Sequence, residues 1–223
     1  MDTVATSVPD MKSPSTQDGA PIVFIVDDDV SVRESLQLLI ASAGWRPEVF
    51  ASAREFLACA RPSTPSCLVL DLSLPDLSGL ELQRRIADRT DIPIIFISGH
   101  GDIPMTVQAM KAGAVEFLTK PFGCDVLLEA IATALERSRA LLAEEAAVHG
   151  LRSRYESLSS RERAVMALVV RGQLNKQVGG ELGISEITVK AHRGHMMRKM
   201  QARTLAELVN MAARLHLPAV SLG

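Results

Sequence analysis

The chain is sparing with cysteine, with long apolar runs and, in its last third, with aspartate. Cysteine occurs three times, at Cys59, Cys67 and Cys124. An odd number at wide spacing, with two of them in or beside apolar runs, excludes a disulfide frame or a thiolate metal site and implies reduced residues in a cytoplasmic protein. No apolar run reaches the ~18 residues of a membrane span. No basic segment leads into an apolar core at the N-terminus, so neither a secretory signal nor membrane attachment is expected. Aspartate is missing altogether from residues 151–223, which carry 12 Lys and Arg against 5 Glu, a net of +7. The first 150 residues carry 12 basic and 21 acidic side chains, a net of -9. This asymmetry, hidden in an overall charge of -2, points the back of the chain toward a polyanion.

What is present begins after a Pro-, Ser- and Thr-containing stretch over 1–20, read as a disordered tail. The apolar run Ile22–Val26 ends in Asp27-Asp28-Asp29, and Cys67–Leu70 ends in Asp71. Short all-apolar runs bounded by turn signals predict strands buried on both faces. Further strands are expected at Pro47–Phe50, Pro93–Ser98 and Val115–Leu118. Between them, helical spacing predicts helices over Ser31–Ala43, Ser52–Ala60, Gly79–Asp88 and Pro104–Ala112. Five strand–helix units in succession predict an α/β fold, a five-stranded parallel doubly wound sheet. The last helix, from Cys124, carries a stripe of Leu127, Leu128, Ile131, Leu135, Leu141 and Leu142, and a break is expected at Gly150. From Ser159 the pattern is helical only. Ser159 and Glu162 form a candidate capping box, and helices are expected from there to Gly172, over Asn175–Leu182, Glu186–Met200 and Leu205–Leu215. Two of these joined by Gly183-Ile184-Ser185 make a helix-turn-helix pattern in a small all-α four-helix domain.

The strand ends carry Asp27-Asp28, Asp71, Ser98 and Lys120. In a parallel sheet these ends converge on one edge, where α/β proteins place their chemistry. Crowded carboxylates repel one another and call for a cation. An all-oxygen set of this kind suits Mg²⁺. An Asp beside Mg²⁺ and a Lys is a candidate phosphoryl acceptor, with Ser98 positioned to donate to a phosphoryl oxygen. The Lys120–Pro121 bond is a candidate for cis geometry.

With these residues in this order, 21–140 resembles the receiver domain of a two-component response regulator. The resemblance implies that Asp71 takes a phosphoryl group from a sensor histidine kinase. It implies Mg²⁺ bound by Asp28, Asp71 and the backbone carbonyl of Ser73, with Asp27 acting indirectly, while Asp29 is a candidate cap for the first helix. Lys120, Ser98 and Phe117 would act as catalytic and switch residues, with core packing as the other reading of Phe117. The stretch Ile97–Met105 with Met110–Ala114 narrows the resemblance to the FixJ-like branch of the NarL/FixJ family. There His100 is a candidate for setting the phosphoryl lifetime, against a plain loop histidine.

The segments Leu158–Arg163, Asn175–Gln177, Glu181–Ser185 and Thr188–His192 resemble the LuxR-type DNA-binding domain. The resemblance implies a major-groove face of Thr188, Lys190, Ala191, Gly194, His195 and Arg198. On that face Lys190 would reach a guanine edge and Ala191 a thymine methyl. Lys176, Lys199 and the amides near Asn175 would hold phosphates, and Arg193 could serve either surface. Val189, Met196, Met200 and a half-buried His192 are expected in the core. Gly194 and the pair Gly179-Gly180 depart from the pattern. The glycine pair either lets helices approach closely or weakens the domain, at about 1 kcal/mol each relative to Ala.

The expected domains are a receiver over 21–138, a helical linker over 139–156 and the DNA-binding domain over 157–217. The expected function is a transcription factor that dimerises through its receiver when Asp71 is phosphorylated and then binds promoter DNA and engages RNA polymerase. The competing readings are a DNA-binding regulator indifferent to phosphorylation and an aspartyl-phosphate phosphohydrolase. The second lacks a carboxylate two residues after the nucleophile, where Ser73 stands.

Overall fold

The computed structural model describes residues 19–99 and 103–216, so His100 and nearly all of the expected N-terminal tail lie outside the described residues. The chain divides into two compact units, with the boundary between Leu142 and Ala143.

The first unit holds β1 (Ile22–Val26), α1 (Val30–Ser42), β2 (Arg46–Phe50), α2 (Ala53–Leu57), β3 (Ser66–Asp71), α3 (Gly79–Arg85), β4 (Ile94–Ser98), α4 (Ile103–Lys111) and β5 (Glu116–Thr119). The strands form one parallel sheet in the order β2-β1-β3-β4-β5. Successive strand side chains point to opposite faces, and the central strands β1, β3 and β4 are buried at every position and polar only at their ends, because both faces are covered. Phe24, Leu68, Leu70 and Phe96 join one core with residues of α2, α3 and α4. Val23, Ile25, Cys67, Val69, Ile95 and Ile97 join the other with residues of α1 and of the next helix, α5 (Cys124–Glu156).

The expected helix bounds hold to within a few residues, except that α2 and α3 stop three residues early, at Leu57 and Arg85. Asp76 explains how so short a helix as α2 is held. Its carboxylate accepts from the Ala53 and Arg54 amides at 3.3 and 3.1 Å, beside the Ser52 cap.

Helix α5 runs from Cys124 to Glu156, so the expected break at Gly150 does not occur. A glycine inside a helix costs about 1 kcal/mol, which a long cooperative helix absorbs when its neighbours are packed. Here Leu151 is buried and Tyr155 packs against the same core.

The second unit adds α6 (Ser160–Val169), α7 (Asn175–Leu182), α8 (Glu186–Met200) and α9 (Leu205–Arg214) around Val165, Met166, Val178, Val189, Met196 and Leu208. The Ser159–Glu162 capping box is complete, with the Ser159 amide 2.8 Å from Glu162 Oε2. Gly183 takes the left-handed conformation (φ 65°) that ends α7, and Ser185 caps α8. The two glycines of α7 differ. A Cβ on Gly179 would lie 2.8 Å from the Ile184 carbonyl oxygen, whereas one on Gly180 would meet nothing within 4 Å. Gly179 therefore permits the tight α7–α8 turn, and Gly180 does not. On α9, Leu208 and Ala212 face the core, while Leu205 and Val209 are exposed.

Candidate functional site

Four strands of the first unit deliver side chains to the C-terminal edge of the sheet. Asp27 follows β1, Asp71 and Ser98 end β3 and β4, and Lys120 follows β5. The β4–β5 register pairs Ser98 with Thr119, and the Lys120 amide donates to the Ser98 carbonyl at 2.8 Å. This fixes the stem of Lys120 beside the acids. Its ammonium donates to Asp27 Oδ2 at 2.7 Å and to Asp71 Oδ1 at 3.0 Å. The remaining oxygens are held by backbone amides. Asp27 Oδ1 accepts from Asp29 at 2.9 Å, and Asp71 Oδ2 accepts from Ser73 at 2.8 Å. The Lys120–Pro121 peptide is cis.

The electrostatics follow from this geometry. Burial raises the Asp27 carboxyl above its ordinary value, and the hydrogen bonds from Lys120 and Asp29 only partly offset it. Burial also works to lower the Lys120 ammonium. The hydrogen bonds to Asp27 and Asp71 outweigh it and leave that group above its ordinary value. Asp28 is exposed at the rim, and Asp29 caps α1 through the Ser31 amide at 2.8 Å. Three carboxylates thus share one edge with one ammonium, and every candidate donor is oxygen. Among the described residues no group of three or more His, Cys, Asp and Glu side chains could hold a metal. A Mg²⁺ ion needs no such group, because it takes one or two carboxylates and fills its octahedron with carbonyl oxygen and water. The Asp28 and Asp71 carboxylates and the Ser73 carbonyl fit that demand.

Ser98 is buried, and half-buried Phe117 stacks on Phe96 with ring centroids 6.2 Å apart. Gly79, expected only as the first residue of a helix, has a second role. A Cβ there would stand 2.7 Å from the Asp71 carbonyl oxygen and 3.0 Å from the Phe96 ring. The chain leaving Asp71 folds back so closely, with the Gly79 amide on the Leu72 carbonyl at 3.0 Å, that no side chain fits. The available signal was a glycine opening a helix that Ser78 already caps.

In the second unit, Val189, Met196 and Met200 of α8 are buried and His192 is half-buried. Lys190, Ala191, Gly194, His195 and Arg198 are exposed on α8, as is Lys176 on α7. The other residues expected at DNA have partners within the unit. Thr188 is half-buried with its hydroxyl 2.8 Å from that of Ser185. Arg193 donates to Asn175 Oδ1 at 3.0 Å. Lys199 donates to Glu162 Oε2 at 2.7 Å and to the Ser157 carbonyl at 3.2 Å. Glu162 is buried, and Lys199 foremost, then the Ser159 amide, lowers its carboxyl from an ordinary 4.5 to about 2. Lys190 pairs with Glu186 at 3.2 Å, an exposed pair that contributes little.

Residues 23–132 match the response regulator receiver domain, and residues 156–212 match the luxR family of bacterial regulatory proteins. The chain belongs to the FixJ-like response regulators. Nodulation protein W of Bradyrhizobium diazoefficiens is 54% identical over 199 residues, 89% of this chain and 88% of that protein. Transcriptional regulatory protein FixJ of Rhizobium meliloti is 46% identical over 191 residues, 85% of this chain and 94% of that one. A solved structure of response regulator StyR superposes with a TM-score of 0.78 at 48% identity, covering 88% of this chain and all of that one. With both domains present, this response regulator is a DNA-binding regulator of transcription and not an enzyme of the usual kind. Among the described residues no helix is long and apolar enough to cross a membrane.

Proposed function

We propose that this is a cytoplasmic regulator whose DNA binding is controlled by phosphorylation of Asp71. The observation that carries this reading is the Lys120 ammonium shared between Asp27 and Asp71 at the sheet edge. Asp71 attacks the phosphorus of a kinase phosphohistidine. The new bond joins a carboxylate oxygen to phosphorus, the nitrogen–phosphorus bond breaks, and the imidazole leaves with its electron pair. Asp28, Asp71 and the Ser73 carbonyl would hold Mg²⁺, with Asp27 acting through water, and the ion would supply positive charge to the transferred oxygens. Lys120 supplies a second positive charge to the same oxygens, and the Ser73 amide keeps the acceptor oriented through one oxygen. Water slowly hydrolyses the acyl phosphate, so the signal decays without a turnover substrate.

Ser98 donates to a phosphoryl oxygen, and Phe117, stacked on Phe96 in the same strand pair, follows it inward. This shifts an existing equilibrium in α4 and β5. The exposed apolar residues Ile103, Val107 and Met110 of α4 recur at helical spacing and supply a surface for a second phosphorylated copy. Two paired DNA-binding domains then engage two half-sites at high effective concentration and act on RNA polymerase. Lys190, Ala191, Gly194 and Arg198 of α8 face the groove, while Lys176 holds a phosphate. Thr188 and Arg193 support that surface through Ser185 and Asn175. Lys199, expected at a phosphate, acts chiefly inside the domain through Glu162.

The test is transfer of label from a purified sensor kinase phosphohistidine, or from a small phosphodonor, with and without Mg²⁺. Incorporation near one phosphoryl group per chain that needs Mg²⁺ and vanishes in Asp71→Asn is expected. Incorporation that survives Asp71→Asn overturns the assignment.

A further inference from the structure

One strongly exposed residue on α8 is apolar. Ile187 is 80% exposed, in the first turn of a helix otherwise lined with Lys190, His195 and Arg198. Its position around the helix follows from the buried set. Val189, Met196 and Met200 lie within about 20° of one direction at 100° per residue. On that wheel Ile187 falls about 160° from Val189, with Ala191, Gly194 and Arg198 within about 40° of the opposite pole. Ile187 therefore belongs to the row that points straight away from the domain core, and Lys190 and His195 flank it. Nothing in the fold requires isoleucine there, since the side chain leaves the core untouched.

The neighbours of Ile187 make the row an unusual one. Ala191 is small, and a Cβ on Gly194 would meet nothing within 4 Å. The helix backbone can thus approach a groove floor closely, and Ile187 is the large side chain at its leading end. Lys190 on one flank, Arg198 in the row itself and the net of +7 on residues 151–223 commit this face to a polyanion. In the major groove of B-DNA the distinctive apolar feature is the thymine C5 methyl. An isoleucine has no hydrogen-bonding group. Over any other base edge it leaves donors and acceptors dehydrated and unpaired, which costs affinity.

We infer that Ile187 is a specificity-determining residue of this regulator. It packs on one thymine methyl in each half-site and so selects thymine at that position, beside the contacts of Lys190 and Ala191. The inference rests on the proposed entry of α8 into the major groove.

The test uses the full chain, phosphorylated by a small phosphodonor with Mg²⁺, and the duplex it selects from a random pool. Each thymine of the half-sites is replaced in turn by uracil, which removes only the methyl. Wild type is expected to lose about fivefold in affinity at one such position per half-site. Ile187→Ala should lose a similar factor on the unmodified duplex and nothing more when that same thymine becomes uracil. Ile187→Val should fall between the two. Unchanged melting of both variants shows that the fold is retained. Equal uracil losses in wild type and Ile187→Ala at every position overturn the inference, though α8 still reads DNA. Normal DNA affinity of Ile187→Ala with lost transcription in the presence of RNA polymerase also overturns it and makes Ile187 a protein contact. No selected site for wild type removes the proposed entry of α8, and the inference with it.

Discussion

In the receiver unit the decisive charges are buried and paired before any partner arrives. Lys120 already spans Asp27 and Asp71, and the other oxygen of each acid is held by an amide. In the DNA-binding unit the outward side chains, Lys190, Arg198 and Ile187, are exposed, and the tightly held pair is Lys199 with Glu162. Under the proposed function the first unit would perform chemistry on one small group, which calls for dipoles fixed in advance. The second would read a surface, which calls for an exposed row on a rigid helix, and its Lys199–Glu162 pair joins two helices of the domain.

The largest effect should come from removing the acceptor. Asp71→Asn is expected to abolish labelling by phosphodonor while leaving the melting of the DNA-binding unit unchanged. A loss of that unit's stability would erase the distinction between the two regions.

Next come two lysines on one helix. Lys199→Ala strands a buried carboxylate and should cost the DNA-binding unit about 1–2 kcal/mol in urea denaturation, discounted because the ammonium is partly exposed. Lys190→Ala should change stability by less than about 0.5 kcal/mol. Its effect should appear in DNA affinity and in a shallower salt dependence. Equal destabilisation by both would contradict the division between an inward and an outward lysine.

Three glycines sharpen the comparison at similar or smaller cost. Gly79→Ala and Gly179→Ala each drive a Cβ against a carbonyl oxygen and should destabilise their own unit by about 1–3 kcal/mol. Gly79→Ala should also slow phosphorylation, because it displaces the strand end that carries Asp71. Gly180→Ala has open space and should stabilise by about 0.5–1 kcal/mol. Denaturation curves resolved for each unit check all three.

The pH dependence should have opposite signs in the two units. Glu162 has its folded value lowered from 4.5 to about 2. Its contribution is therefore complete above about pH 4.5 and is lost as pH falls toward 2. Glu162→Gln should remove that acid loss. Asp27 has a raised folded value, so its ionised form costs stability, and that cost fades as pH falls through the folded value. Asp27→Asn should stabilise the receiver near neutral pH while impairing phosphorylation. Melting of each unit from pH 7 to 3 tests both signs.

Much of the receiver site was legible because parallel topology converts order along the chain into proximity. Asp27, Asp71, Ser98 and Lys120 each follow or end a strand, and all strands end at one edge. Helical phase likewise exposed the α8 core set of Val189, Met196 and Met200. What escaped depended on distances between elements far apart in sequence. Nothing near Lys199 announces Glu162 on another helix, and nothing near Arg193 announces Asn175. Gly79 owes its role to the return of the chain over Asp71, and Asp76 to the amides of α2. Gly150 misled because a helix breaker was judged alone, without the packing of Leu151 and Tyr155. Ile187 was within reach of the same helical phase that placed Val189, but an isoleucine in an apolar-periodic helix reads first as core.

Control of the exposed helix by the buried acidic edge is read out by DNA-site selection with the full chain, with and without a small phosphodonor and Mg²⁺, alongside Asp71→Asn. A sequence of two half-sites should be enriched only when phosphodonor, Mg²⁺ and Asp71 are all present. Equal enrichment in every sample would mean that DNA binding proceeds without the switch and would overturn that control.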